Sequence, residues 1–246
     1  MRAHSYLDAV RSFPLTTVTG LTQGLPILML SPHPDDETLG AGGLIASAAT
    51  AGIPVSVVIL TDGSGSHPRS PSYPRDRLVD LRRQEVANAI EILGIGLDKL
   101  HHLNLVDTHV PTSGPTFDDV VASITRLVRE SGARSLFVTW ELDPHCDHVA
   151  AAIIARTICR ANPQLTLWAY PIWGWHLDPH TEVRPSPPRG RRLDISDQWS
   201  IKRSAITAHR SQMTNMIDDD PDGFTFTEQT LAPFLGRYEY FIEVAS

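Results

Sequence analysis

The stretch Leu25-Pro26-Ile27-Leu28-Met29-Leu30-Ser31-Pro32-His33-Pro34-Asp35-Asp36-Glu37 is an apolar run stopped by two closely spaced prolines. Proline has no N–H to give to a ladder and is confined to strand ends and edges. A buried strand over Leu25–Leu30 therefore ends here and opens into a loop that carries one imidazole and three carboxylates. Leu39 to Ala51 is rich in Ala and Gly and is closed by Gly52, the residue that most readily ends a helix. Val55 to Leu60 is an unbroken apolar, β-branched run closed by Asp62-Gly63. Strand, crossover-length helix and strand make one βαβ unit.

The pattern repeats outward. From Asp76 to Leu93, the residues Leu78, Leu81, Val86, Ala89, Ile90 and Leu93 share one helical face, with Gly94 at the stop. Leu100–Leu105 is a weaker strand, and a helix from Thr116 carries Val120, Val121, Ile124, Leu127 and Val128 before Gly132. Ser135–Trp140 is a fourth strand, His148–Arg160 a helix, Leu165–Ile172 a fifth strand, Gln198–Met213 a helix and Tyr238–Val244 a last strand. Such alternation predicts an α/β fold, a single Rossmann-like domain whose mostly parallel sheet has helices on both faces. Its parts are a polar N-terminal arm (1–24), a core (25–215) and a C-terminal strand with loops (216–246). The Pro-rich segment 178–190 is expected as a surface loop over the sheet edge that bears the site.

Composition removes several function classes. Lys+Arg 21 against Asp+Glu 28 gives a net charge of -7, the wrong sign for a surface that grips nucleic-acid phosphates. Only Lys99 and Lys202 are lysines, and the arginines form no run that would hold an anionic membrane. The longest uncharged stretch is split by Gly52 and Pro54, so no membrane span is expected. Two cysteines, Cys146 and Cys159, fit a reducing compartment, and no signal-like apolar block precedes Pro14, so cytoplasmic residence is expected.

Ligands of an open parallel sheet gather outside the carboxyl ends of its strands, where strand order reverses. His33, Asp35, Asp36 and Glu37 follow the first strand, and Asp143, His145, Asp147 and His148 follow the fourth. In a strand order such as 3-2-1-4-5 these two loops face one another. Carboxylates so crowded would raise one another's pKa unless a cation held them. Two imidazoles with one carboxylate suit zinc in a catalytic arrangement, and ferrous iron less selectively. His33 and Asp36, three residues apart, can point the same way across Pro34, which leaves Asp35 toward the water as a candidate base. The alternative for Asp36 is a helix N-cap, and Glu37 reads as an orienting or capping group. Gly40-Ala41-Gly42-Gly43 with Asp62 imitates a dinucleotide fingerprint, but Ile45 stands at its third small position.

Pro32-His33-Pro34-Asp35-Asp36-Glu37 together with Pro144-His145-Cys146-Asp147-His148 resembles the PIG-L/LmbE-like family of zinc-dependent N-deacetylases. Arg82-x-x-Glu85-x-x-x-Ala89-x-x-x-Leu93-Gly94 and Lys202-x-x-Ala205-x-x-x-His209-x-Ser211-Gln212 extend the likeness over roughly residues 26–215. Pro32 and Cys146 depart from the family's usual small residue and proline. The resemblance implies that His33, Asp36 and His148 hold Zn2+, with Fe2+ as the second choice, and that Asp35 is the general base. It further implies that His145 stabilises the oxyanion or protonates the leaving amine, with Asp147 tuning it. The implied reaction is hydrolysis of an N-acetyl, or other N-acyl, group from an amino sugar or glycoconjugate. For substrate binding, Arg82 would reach a sugar hydroxyl or phosphate, or else pair with Glu85. Trp173, Trp175 and His176 would stack on a sugar face, or else pack in the core. The competing classes are a metal-dependent phosphoesterase and a noncatalytic sugar- or metal-binding module.

Overall fold

The computed structural model describes residues 1–184 and 186–245. In chain order the elements are α1 (Ala3–Arg11), β1 (Leu15–Thr16), α2 (Val18–Thr22), β2 (Ile27–Ser31), α3 (Asp36–Thr50), β3 (Val55–Thr61), α4 (Arg75–Ile92), β4 (Leu100–Leu105) and α5 (Pro115–Ser131). There follow β5 (Ser135–Thr139), α6 (Cys146–Ala161), β6 (Thr166–Tyr170), β7 (Gly190–Asp194), α7 (Trp199–Ala208), α8 (Arg210–Met213), α9 (Glu228–Leu231) and β8 (Tyr238–Val244). The eight strands form one sheet in the order β1-β7-β8-β6-β5-β2-β3-β4. From β6 to β4 every pairing is parallel, and β8 joins antiparallel to both β6 and β7.

Successive side chains of a strand point to opposite faces, and the central strands use this to bury both. Ile27 and Met29 of β2, with Val55, Val57 and Ile59 of β3, pack against α3, α4 and α7. Leu28 and Leu30, with Val58 and Leu60, pack against α5 and α6. A strand apolar on both faces needs helices on both, which is the expected layering. β2 lies between β3 and β5, Leu28 pairing with both Ser56 and Leu136. The loops after β2 and β5 consequently leave adjacent carboxyl ends, as the 3-2-1-4-5 order requires.

Three expectations need correction. The N-terminal segment is no mere polar arm, because α1 buries Ala3, Tyr6, Leu7 and Val10 at helical spacing and stacks Tyr6 on Trp140 at 5.2 Å. The described part of the Pro-rich segment is tied to the chain's start, the N–H groups of Ala3 and His4 donating to the Thr181 and Pro179 carbonyls, and none of its described residues lines the cleft of the site. Pro185, within that segment, lies outside the described residues, as does Ser246. The long helix over 198–213 is broken at His209, whose ψ of 60° is not helical. Among the described residues, no helix is long and apolar enough to cross a membrane.

Candidate active site

β2 runs straight into Pro32, whose carbonyl accepts the backbone N–H and the Oγ1–H of Thr61 at 2.9 and 2.8 Å. The chain then turns within three residues into the first turn of α3, where Asp36 is buried. On the neighbouring strand, β5 gives way to a short loop, and His145 serves as the N-cap of α6. Three donor atoms from these two loops form a nearly equilateral triangle. His33 Nδ1 to Asp36 Oδ2 is 3.1 Å, His148 Nε2 to Asp36 Oδ2 is 3.2 Å, and His148 Nε2 to His33 Nδ1 is 3.3 Å. Tetrahedral ligands at roughly 2.0–2.1 Å from zinc lie about 3.3 Å apart, so the set has the size of a zinc face.

The far side of each ring fixes which nitrogen is free. His148 Nδ1 faces Asp143 Oδ2 at 2.8 Å, and His33 Nε2 faces Asp107 Oδ1 and Asp147 Oδ2, both at 3.2 Å. Protons on those outer nitrogens leave two lone pairs and a carboxylate pointing at one another, an arrangement that asks for a cation. Burial alone would lower both imidazole pKa values. For His33, hydrogen bonds to Asp107, Asp147 and Asp36 outweigh burial and lift it well above its ordinary range. For His148, the charge of Asp36 and the bond to Asp143 lift it to about 9. The same set of lone pairs and carboxylate that favours protons is one a divalent cation can satisfy in their place. The sequence reading places Asp143 in the second cluster without a role and does not point to Asp107, which reaches the site only because β4 pairs beside β3.

Asp35 points elsewhere. Its Oδ2 accepts Arg82 Nη2–H at 3.0 Å, and its backbone takes a φ of 156° that an L-residue seldom adopts. Burial pushes its carboxyl up to about 7, with the Arg82 guanidinium opposing. His145 lies with its ring 4.5 Å from that of His33 and 5.1 Å from that of His148. Its Nδ1 accepts the Asp147 backbone N–H at 3.2 Å, so in the neutral ring the proton sits on Nε2. Burial, then the charges of His33 and His148, push its pKa down to about 4. The Asp147 carboxylate is engaged by the Thr108 and Val110 N–H groups and by His33. Asp147 thus touches His145 through its backbone and not through its carboxylate.

These groups open on a cleft of about 220 Å³ that His33, Asp35, Asp36, Arg82, Asp107, His145 and Trp173 help to line. Arg82 is buried, and both its Nη atoms are used, on the carbonyls of Gly63 and Pro34 and on Asp35; Glu85 instead accepts from the Ser211 N–H and hydroxyl. Trp173 reaches the cleft, but Trp175 and His176 are not brought to it. The Trp175 ring lies against Tyr240 and under Arg11, and His176 Nε2 bonds the Thr230 carbonyl. The 3₁₀ turn Trp173–His176 points successive side chains in different directions, which the sequence grouping could not show. Gln212 lines the cleft, while His209 is buried against Thr38 and Glu37. Phe224 and Phe226, unmarked in the sequence, complete the wall.

Residues 28–159, which hold both loops, match the family described as PIG-L: GlcNAc-PI de-N-acetylase. Diacetylchitobiose deacetylase of Thermococcus kodakarensis is 30% identical over an alignment of 192 residues that covers 76% of this chain and 69% of that protein. A probable N-acetyl-alpha-D-glucosaminyl L-malate deacetylase 2 of Bacillus subtilis is 28% identical over 231 residues, 87% of this chain and 95% of its own. The solved N,N'-diacetylchitobiose deacetylase of Pyrococcus horikoshii shares the fold at a TM-score of 0.67 and 23% identity, covering 88% of this chain and 82% of that one. With the matched segment supplying the whole donor triangle and the carboxylate beside it, the chain belongs to the PIG-L, GlcNAc-PI de-N-acetylase, family.

Proposed function

We propose that this protein hydrolyses the N-acetyl, or other short N-acyl, group of an amino sugar or glycoconjugate, with Zn2+ as its metal. The observation that carries the reading is the triangle of His33 Nδ1, Asp36 Oδ2 and His148 Nε2, set beside a separate buried carboxylate, Asp35, that opens on the same cleft. A zinc ion held by those three residues would supply Lewis acidity toward the acyl oxygen and an acidified water. Asp35, with a pKa near 7, is poised to accept the proton of the attacking water and to return it to the amine as the C–N bond breaks. Arg82 holds Asp35 in place. His145, neutral with its proton on Nε2, is suited to donate to the oxygen that gains charge as the carbonyl carbon becomes tetrahedral. A phosphoesterase reading loses support from the same cleft, since Arg82 is already committed.

The relatives named as deacetylases of acetylated sugars support this substrate class. Cytoplasmic residence belongs to the same reading. Cys146 and Cys159 stand near opposite ends of α6, roughly 20 Å apart at a helix rise of about 1.5 Å per residue, too far to pair with each other.

The test is release of primary amine from a panel of N-acetyl amino sugars and their conjugates by zinc-loaded protein, with Asp35→Ala as the paired blank. Turnover by wild type, and a loss of about 10²–10⁴-fold in kcat for a variant that still binds one zinc, is the expected result. Unchanged turnover in Asp35→Ala, or phosphate release in place of amine, would reject the assignment.

A further inference from the structure

Two properties of the cleft bear on which amino sugar suits it. Its apolar wall is made of three aromatic rings. Trp173 and Phe226 stack at 4° with centroids 5.5 Å apart, and Phe224 stands edge-on to both at 5.4 and 5.0 Å. All three are half-buried, and all three line the cleft. The wall is also braced. The Phe224 N–H donates to the Ser66 carbonyl and the Phe226 N–H to that of Gln212, both at 2.8 Å, and Phe234 packs edge-on against Phe226.

The second property is charge. Arg82 is the only lysine or arginine among the described residues lining the cleft, and its Nη atoms are taken by two carbonyls and Asp35. Its lining carboxylates are Asp35, Asp36 and Asp107. At the aromatic wall an anionic substituent would meet no uncommitted lysine or arginine among the described residues, whereas an uncharged aromatic group would gain both burial and ring-on-ring contact.

On the footing of the amino-sugar reading, we propose that the substrate carries an uncharged aromatic aglycone, which seats on Trp173, Phe224 and Phe226. Conjugates that place a carboxylate or phosphate there are disfavoured.

The experiment compares kcat/KM for deacetylation by zinc-loaded protein on the methyl and phenyl glycosides of N-acetylglucosamine, in both anomers, and on N-acetylglucosamine 1-phosphate. The phenyl glycoside of the preferred anomer is expected to exceed the methyl by about tenfold, mostly through KM, as one aromatic contact of about 1.4 kcal/mol gives. The phosphate should fall below the methyl glycoside. Phe226→Ala should bring the phenyl-to-methyl ratio close to one, and because that ratio is taken within one preparation, partial misfolding cancels. Equal rates on phenyl and methyl glycosides, or preference for the phosphate, overturns the aglycone wall and leaves the deacetylase reading standing. No amine from any of them, with zinc bound, removes the amino-sugar reading and this proposal with it.

Discussion

Asp143 shows how much one buried carboxylate controls in this site. It accepts His148 Nδ1–H at 2.8 Å and the Ile172 N–H at 3.0 Å, and it also accepts the Gly174 N–H. One side chain thereby sets the tautomer of His148 and anchors the turn that carries Trp173. Asp143→Asn keeps the shape but offers its amide N–H₂ to groups that are themselves donors. Zinc affinity is expected to fall about 10–100-fold, read by competition with a chromogenic chelator, with the far-ultraviolet spectrum unchanged. Asp35→Asn is the informative contrast, since Asp35 lies outside the donor triangle and its loss should leave zinc affinity near wild type while turnover falls. Equal affinities for the two variants would undo this division of roles. The residues proposed as ligands and base could be grouped from two short motifs because proline-bounded loops keep near neighbours together. Asp107 was not, because the β3–β4 register, and no local spacing, brings it to His33.

At the scale of elements, α3 is two helical pieces meeting at Ala41, whose φ of -145° breaks the spiral. A helix start leaves orphan N–H groups, and here Glu239 of β8 accepts those of Gly43 and Leu44 at 2.7 and 2.8 Å. Lys202 of α7 in turn donates to Glu239 at 2.7 Å, both side chains being almost fully buried. The first piece carries Asp36, so this ion pair braces the element that presents this carboxylate to the cleft. Lys202→Met removes one partner and leaves a buried carboxylate without its countercharge, a change that costs about 3–5 kcal/mol. A fall in melting temperature of roughly 10 °C is expected for a chain of this size; a fall of under 2 °C would show that the pair is not needed. Most strands and crossover helices of the parallel core could be read because the central strands are continuous apolar runs, the helices between them are of crossover length, and most of these elements are closely followed by Gly or Pro. β7 could not, because Gly190–Asp194 is short and charged and gains its partners only from β1 and β8. The helix α1 did show the i, i+3, i+4, i+7 pattern in Ala3, Tyr6, Leu7 and Val10, a signal outweighed by the polar residues between them.

Across the whole molecule, the donor triangle joins loops from two adjacent strands, with second contacts reaching the ends of β4 and β6 through Asp107 and Asp143. The two main apolar cores lie on either side of the sheet and use none of these groups. Folding and metal binding should therefore be separable: the sheet can form without zinc, and zinc then stabilises it by binding the folded state alone. Free zinc at about 100 times its dissociation constant adds roughly 2.7 kcal/mol, which for a chain of this length raises the melting temperature by about 5–10 °C. Chelated protein is expected to keep the far-ultraviolet signature of the α/β sheet and to melt lower by that amount, with the shift reversed by added zinc. His148→Ala should melt near the chelated wild type and gain almost nothing from zinc, because the site has lost a ligand while the cores remain intact. A chelated protein that lost its secondary structure would instead make the metal part of the fold, and the independence of the cores from the cleft would have to be abandoned.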